Sequence, residues 1–179
     1  IILASKSPRR KELLSLITDD FTVDSAEVDE TLPSGIEPDK AVEYLSKIKA
    51  QPFRKSGKIV IGADTVVAID GKILGKPKNE KDAFLMLKNL SGKEHSVFTG
   101  VTVIKNDKKV TFSVQTKVKF FELDDREIED YISSGEPFDK AGAYGIQGKG
   151  SLFVEKIDGD YFNVVGLPIS RLARQLKSI

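Results

Sequence analysis

The chain has 179 residues, 40% of them hydrophobic, which is enough for the core of one domain or two small lobes. It contains no cysteine, one histidine (His95), and 28 basic against 27 acidic residues, for a net charge of +1. These counts exclude disulfides, thiolate chemistry and a zinc site built from several histidines, and they lack the basic excess that is typical of proteins bound to long nucleic acids.

No apolar run approaches the roughly 20 residues that a membrane-spanning helix needs. The first apolar segment, residues 1–4, is too short for a signal peptide and leads into a charged helix. We therefore expect a cytoplasmic protein that contacts neither a membrane nor nucleic acid. If the chain is an enzyme, its chemistry depends on carboxylates, lysines, arginines and a bound hard metal.

Strands and short helices alternate in the first half of the predicted secondary structure. Ser7 and Asn79 are favourable N-caps, and Pro38 suits the first position of a helix. Asp70-Gly71 is typical of a two-residue hairpin turn. The predicted strands of this half cover residues 1–4, 21–24, 58–62, 65–69 and 72–74, and a loop covers residues 26–37.

The clearest strand signal lies in residues 95–121. Valine and phenylalanine recur at every second position along much of residues 110–120, and Asn106-Asp107 marks a turn before them. This pattern predicts a long antiparallel hairpin. The helix predicted after it begins at an Asp124 cap, which has the spacing of a capping box, and it ends at Gly135.

Further elements are predicted beyond residue 150. Residues 151–157 and 161–165 are rich in β-branched and aromatic side chains and flank Asp158-Gly159, which predicts another hairpin. Pro168 begins a final helix. The whole pattern predicts one domain over residues 1–179 with a mixed α/β fold (α+β), in which helices flank a mixed sheet with antiparallel hairpins.

Asp64 is the first candidate for chemistry, because it follows the buried strand predicted for residues 58–62. A side chain at the end of such a strand is held rigidly where open sheets often bind ligands. A carboxylate there could bind a hard cation or orient a water molecule. Its alternative role is to cap a turn, and the residues around it favour neither interpretation.

A second candidate is the segment from Ser5 to Arg10, which follows the first strand and opens the first helix. Free backbone N–H groups at a helix N-terminus, the Ser7 cap and the cations Arg9 and Arg10 suit a phosphate group. An ordinary capped helix with two solvated arginines would show the same pattern. Taken alone, the segment favours that plainer interpretation.

Three isolated charged residues are weaker candidates. Glu30 lies next to Asp29 in an acidic loop, and paired carboxylates attract magnesium, although such loops are usually only solvated. Lys49 lies on the second predicted helix, and Lys76 lies in a Gly-Lys-Pro segment. Lysines in these places are more often surface residues than ligand contacts.

Four glycines crowd the loop of residues 139–150. Glycine permits close approach of the backbone to a ligand and can form an anion-binding nest. Within this loop Tyr144 could stack on a ligand and Gln147 could read a base edge, although the glycines could also mark only a difficult connection. The loop has neither the Walker A nor the dinucleotide-binding pattern. His95, at a strand start, is interpreted as a structural or surface residue.

Taken together and in order, these segments resemble the Maf family of nucleoside triphosphate pyrophosphatases, a family linked to septum formation in bacteria. The similar stretches are SKSPRRKELL, VIGADTVV with GKP after it, LSGKEHSV, and DKAGAYGIQGKG followed by KIDGDYFNVVGLP. They span nearly the whole chain, and the combination is specific although each piece alone is not. Residues 50–58 depart from the family pattern, because they form a shorter and less typical connection.

The resemblance implies a fold related to that of the inosine triphosphate pyrophosphatases, with a long twisted sheet and two lobes around a cleft. It implies hydrolysis of the α–β phosphoanhydride of a nucleoside triphosphate, which gives a nucleoside monophosphate and pyrophosphate. It also implies a divalent cation, Mg²⁺ or Mn²⁺, and a homodimer is plausible on the same ground.

The resemblance also assigns site residues. Arg9, Thr65 and Gln147 occupy positions similar to those of the branch that acts on dTTP and UTP. The family's proton acceptor falls on Asp64, and its other site positions fall on Arg10, Glu30, Lys49 and Lys76. From these positions we expect Glu30 and Asp64 to hold the metal, and Ser7, Arg10, Lys49 and Lys76 to bind the substrate.

Two other functions compete with hydrolysis. The chain could be a nucleotide-binding regulator of cell division that acts through protein contacts, although simple binding does not need a water-activating carboxylate. Binding of single-stranded RNA is disfavoured by the +1 charge and the 8% aromatic content.

Overall fold

The computed structural model describes residues 1–179 and contains seven strands and six helices. The strands are β1 (Ile2–Ala4), β2 (Thr22–Asp24), β3 (Val60–Ile69), β4 (Lys72–Leu74), β5 (Glu94–Lys105), β6 (Lys108–Phe120) and β7 (Val154–Asp158). The helices are α1 (Pro8–Ser15), α2 (Pro38–Ala50), α3 (Glu80–Leu90), α4 (Asp125–Ser133), α5 (Tyr161–Val165) and α6 (Ile169–Leu176). Short 3₁₀ turns cover Gln51–Phe53, Glu136–Asp139, Ala141–Ala143 and Gly148–Phe153.

All seven strands belong to one mixed sheet, in the order β2-β1-β3-β5-β6-β7, with β4 paired to β3. Strand β1 is parallel to β2 and β3, whereas β4 and β7 are antiparallel to their partners β3 and β6. The predicted mixed sheet with antiparallel hairpins and flanking helices is therefore confirmed. None of the helices combines the length and hydropathy that a membrane span requires.

The chain divides into two compact units, each assembled from separate stretches. The first unit comprises Ile1–Thr65, Phe98–Val114 and Phe162–Ile179, and the second comprises Val66–Val97 and Gln115–Tyr161. Each unit contains fully buried apolar side chains of its own. These include Leu3, Leu14, Val42, Ile61 and Leu172 in the first unit, and Leu87, Leu90, Phe120 and Ile128 in the second.

In the first unit, two glycines let α2 lie directly on the sheet. A Cβ atom at Gly62 in β3 would lie 2.3 Å from the carbonyl oxygen of Ser46, and one at Gly100 in β5 would lie 2.2 Å from that of Val42. Such distances are well below van der Waals contact, so only glycine permits this packing. Helix α2 is thereby held close to the strand that carries Asp64.

In the second unit, His95 lies in an aromatic cluster. Its Nε2 atom lies 2.7 Å from the Tyr144 hydroxyl, and the Phe120 ring packs edge-on against both rings. His95 is only 3% exposed, and burial lowers its pKa to about 4, so the imidazole is neutral at pH 7. Tyr144 is buried as well, which raises its pKa and removes it as a ring that could stack on a ligand.

One strand boundary was predicted wrongly. The sequence suggests a strand over residues 58–62 that ends before Asp64, but β3 continues without a break to Ile69. Asp64 and Thr65 are its only two residues that are not buried. The apolar run that indicates the strand is interrupted by the polar residues Asp64 and Thr65, whereas the backbone stays extended through them.

The hairpin predicted around Asp158-Gly159 is also wrong, because Tyr161–Val165 forms α5 and not a strand. Strand β7 instead pairs with β6, where Lys117 lies opposite Asp158. The Thr116 hydroxyl then bonds both the carbonyl oxygen and the amide of Asp160, each at 3.0 Å. These long-range bonds end the strand, and they override the strand propensity of the aromatic and β-branched residues that follow.

Candidate active site

Three charged side chains of the first unit meet at one point. The Lys49 ammonium forms a short ion pair with Asp64 Oδ1 and lies 3.2 Å from Glu30 Oε2. The side chains of Asp64 and Lys49 are 13% and 19% exposed, whereas that of Glu30 is 53% exposed. The structure thus brings together a helix, a strand and the acidic loop, whose residues the sequence analysis treated as separate weak candidates.

The place of Asp64 follows from the register of the parallel strands. Strand β1 pairs with β3 only as far as Ala4 opposite Gly62, and β3 continues beyond the end of β1 to Ile69. Asp64 therefore lies just beyond the carboxyl end of β1, where parallel sheets commonly bind ligands. Lys49 donates a hydrogen bond to the Oδ1 atom of Asp64, whereas the Oδ2 atom accepts no hydrogen bond from the protein.

The start of α1 follows directly from the end of β1. Ser7 is the N-cap, and its Oγ accepts a hydrogen bond of 3.4 Å from the Arg10 amide. The Ser7 amide in turn donates to Ser5 Oγ at 3.2 Å, and Pro8 occupies the first turn. This is the capped helix start that the sequence predicts, and its N-terminus is favourable for an anion.

Arg10 connects three segments of the first unit through its guanidinium. Nε donates to the Gly166 carbonyl oxygen at 2.8 Å, Nη1 to the Ala63 carbonyl oxygen at 2.9 Å, and Nη2 to Thr65 Oγ1 at 2.9 Å. Burial lowers the pKa of Arg10, and the nearby Asp64 carboxylate opposes that effect. Arginine nevertheless stays protonated, so a fixed positive charge lies behind Asp64 and Thr65.

The Thr65 hydroxyl belongs to a chain of hydrogen bonds whose direction can be worked out. Thr99 Oγ1 donates its only hydrogen to the Asn163 carbonyl oxygen at 2.8 Å. In the 2.9 Å contact between Thr65 and Thr99, Thr65 must therefore be the donor. Since Thr65 also accepts from Arg10, its hydroxyl has only an acceptor lone pair left for a ligand.

Thr99 and Gly166 also belong to this hydrogen-bond network, although the sequence does not single them out as site residues. Thr99 is fully buried, and Gly166 provides the carbonyl oxygen to which Arg10 Nε donates. A signal for Thr99 was present, because a threonine within a run of buried strand residues requires a partner for its hydroxyl. Gly166 gave no comparable signal, since its role depends on a residue 156 positions away.

Arg9 lies half-buried in the first turn of α1, whereas Lys76 and Gln147 belong to the second unit. Both are exposed, and neither side chain has a partner within the protein. The Gly142 amide donates to the Gly75 carbonyl oxygen at 3.0 Å, so the segment of Lys76 lies against the glycine-rich loop that carries Gln147. A side chain at position 142 would collide with Val67, which explains why this position of the loop is a glycine.

A divalent cation would find suitable oxygen donors in the first unit, but few of them. Glu30 and Asp64 already converge on one cation, the Lys49 ammonium. No group of three or more histidine or acidic side chains is placed to hold a metal ion, here or elsewhere in the chain. Because Mg²⁺ keeps several waters and often shares its coordination with substrate phosphates, two carboxylates fit a metal ion that binds together with a phosphate.

Comparison with solved structures shows related folds. A HAM1 protein from Coxiella burnetii aligns over 99% of this chain and 98% of its own length, with a TM-score of 0.54 and 11% identity. The Staphylococcus aureus Ham1 protein aligns over 66% of this chain and 70% of its own, with a TM-score of 0.50 and 16% identity. At these identities the likeness concerns the fold alone.

Sequence comparison finds much nearer relatives. A protein of Bacillus pumilus (strain SAFR-032) named dTTP/UTP pyrophosphatase is 53% identical over 180 residues, which cover 99% of this chain and 95% of the relative. A protein of the same name from Bacillus cereus (strain AH187) is 55% identical over 179 residues, covering 99% and 94%. The family described as Maf-like protein matches residues 1–179, and the chain belongs to this Maf family.

Proposed function

We propose that this chain hydrolyses nucleoside triphosphates, dTTP and UTP in particular, to the monophosphate and pyrophosphate. The observation that carries the proposal is the meeting of Asp64, Lys49 and Glu30 beside the N-terminus of α1. The relatives that are more than half identical and are named dTTP/UTP pyrophosphatases support the choice of substrate.

In the proposed reaction, the protein binds the phosphates through cations and the positive end of the α1 helix dipole. Ser7, Arg9 and the N-terminus of α1 contact the triphosphate. Lys49 neutralises further charge on it, and Lys76 is proposed as a further substrate contact. Arg10 acts through its neighbours, because most of its hydrogens are already donated to Gly166, Ala63, Ser5 and Thr65.

Asp64 accepts the proton of the attacking water in this proposal. Lys49 holds Oδ1, so the unengaged Oδ2 orients a water molecule. As the water oxygen bonds to the α-phosphorus, the bond from that phosphorus to the bridging oxygen breaks and its electrons leave with pyrophosphate. Positioning and electrostatic stabilisation supply most of the rate enhancement for such a step.

A divalent ion, Mg²⁺ or Mn²⁺, would be held by Glu30 and Asp64 together with substrate phosphates, and it would neutralise developing charge on the phosphate oxygens. Thr65 and Gln147 select the base. Since Thr65 has only an acceptor left, it suits a ring N–H donor, which thymine and uracil carry at N3 and neutral cytosine lacks.

Gln147→Ala tests base selection. We expect the ratio of kcat/KM for UTP over CTP to fall roughly tenfold, the effect of one lost hydrogen bond in a site that excludes water. The matched control is Gln115→Ala in the same unit, where the ratio should not change. An unchanged ratio in Gln147→Ala would remove this residue from base recognition.

The activity itself is tested by incubating the chain with UTP or dTTP and Mg²⁺ or Mn²⁺. Equal amounts of monophosphate and pyrophosphate are expected, and UDP with orthophosphate would contradict attack at the α-phosphorus. Tight binding without products would instead favour the alternative, a nucleotide-binding regulator of septum formation. Sedimentation of the same sample tests whether the chain forms the homodimer that the family resemblance implies.

A further inference from the structure

A second basic feature of the first unit is a surface pocket of about 320 Å³. It lies between the end of α2 with the 3₁₀ turn after it and the turn that joins β5 to β6. Four of its lining residues are cations, namely Lys47, Arg54, Lys108 and Lys109. Asp107 is the one carboxylate, so the lining has a formal charge of +3.

The positive charge of this pocket is compensated only in part, by Asp107. None of its four cations takes part in an ion pair or a side-chain hydrogen bond. Residues 44–63, which supply two of the cations, contain five basic residues and no acidic one. In a chain whose net charge is only +1, this is a marked local concentration of positive charge.

The pocket is separate from the Asp64 cluster although both use α2. Lys47 and Lys49 are two positions apart and so point about 200° apart around the helix. Lys49 faces Asp64, whereas Lys47 is exposed and lines the pocket. The pocket also uses Arg54, which lies in residues 50–58, the stretch that departs from the Maf family pattern.

We propose that this pocket binds a small polyphosphate anion, either inorganic pyrophosphate or the phosphate chain of a nucleotide. The lysines and the arginine of the lining supply charge-assisted donors, which are the groups that phosphate oxygens prefer. The side-chain amides of Gln51 and Asn106, one on each of the two elements that form the pocket, supply further neutral donors. The volume lies at the lower end of the range of small-molecule sites, which fits two or three phosphate groups better than a whole nucleotide.

The test follows the NMR chemical shifts of the backbone amides of the ¹⁵N-labelled chain in the absence of divalent metal. The salt concentration is about 150 mM, at which exposed charges are largely screened beyond about 8 Å. Inorganic pyrophosphate is one probe. The other is α,β-methylene-UTP, which resists cleavage between its α- and β-phosphorus atoms. Saturable shifts are expected for the amides of residues 51, 53, 54 and 106–109. Similar affinities would identify the shared polyphosphate as the ligand, and tighter binding of the UTP analogue would identify a nucleotide.

The variant Lys47→Glu/Lys108→Glu should weaken binding at residues 106–109 roughly tenfold or more, because two attractive contacts become repulsive. The control variant Lys72→Glu/Lys81→Glu, which changes two exposed lysines of the second unit, should leave the affinity at residues 106–109 unchanged. Absence of saturable shifts at 106–109, or an unchanged affinity in the pocket variant, would overturn the proposal. Because no hydrolysis is measured, the result does not depend on the proposed enzymatic function.

Discussion

At the scale of single residues, Arg10 has a different role from the one that its sequence motif predicts. The sequence places it in a helix start suited to phosphate, which makes it a substrate-binding candidate. Its guanidinium in fact binds the carbonyl oxygens of Ala63 and Gly166 and the Thr65 hydroxyl. Through these bonds it orients the strand that presents Asp64, and one planar side chain serves all three acceptors.

Arg10→Lys should therefore destabilise the protein although it keeps the charge. A lysine ammonium cannot reach three acceptors in the fork geometry of arginine, and buried carbonyl oxygens would lose their donors. We expect the free energy of unfolding in urea to fall by about 3 kcal/mol. Arg126→Lys, on an exposed position of α4, is the matched control, and an equal effect in both variants would contradict this role.

His95 gives a pH-dependent stability that can be predicted with its sign. Burial lowers its pKa from 6.5 to about 4 in the folded chain. Between these values the unfolded chain binds a proton that the folded chain does not, so acidification through this window favours unfolding. The loss approaches about 3 kcal/mol at pH 4 and is absent above pH 7.

The measurement compares urea unfolding of the parent chain and His95→Gln at pH 7 and pH 4.5. Carboxylates titrate in both proteins, so the difference between their pH slopes isolates the histidine. We expect a smaller loss of stability in His95→Gln. Identical slopes would show that the histidine does not control this pH dependence.

At the scale of elements, the contact between α2 and the sheet controls the position of Lys49. Gly62 and Gly100 leave no space for a side chain beneath the helix, since a Cβ at either position would lie within 2.3 Å of a helix carbonyl oxygen. Lys49 lies on this helix and Asp64 two residues after Gly62. The same close packing therefore stabilises the unit and brings the two charges together.

Gly62→Ala should destabilise the protein by about 2–3 kcal/mol, because either the helix or the strand must move to admit the methyl group. The shift of α2 should also lower kcat by separating Lys49 from Asp64. Gly75→Ala is the matched control, since a Cβ there meets no atom within 4 Å and its φ is not positive. Melting temperatures and initial rates of both variants test this, and equal values would contradict the packing argument.

Local chemistry made some elements predictable and left others hidden. The capping box at Asp124 and Glu127 and the turns at Asp70-Gly71 and Asn106-Asp107 are where the sequence predicts them, because short-range bonds determine them. The prediction of a hairpin through residues 161–165 is wrong because hydrogen bonds between Thr116 and Asp160 end β7. Such contacts join residues far apart in sequence, and no local pattern reports them.

At the scale of the whole molecule, the sequence identified the family and the fold class, and both are confirmed. The candidate site was only partly predictable. Asp64, Lys49 and Glu30 were named separately, but nothing in their spacing indicates that one ammonium would lie between two carboxylates. The hydrogen-bond chain through Thr99 depends on strand pairing and was not foreseen.

The proposed mechanism depends on Asp64 as the proton acceptor. The most direct measurement is kcat for release of UMP and pyrophosphate from UTP by Asp64→Asn, with Asp70→Asn at the exposed turn of the same strand as the control. The exchange keeps the shape of the side chain but removes its charge and basicity. We predict a loss of at least about a hundredfold for Asp64→Asn and a near-normal rate for Asp70→Asn. A correctly folded Asp64→Asn protein with near-normal turnover would contradict the central claim.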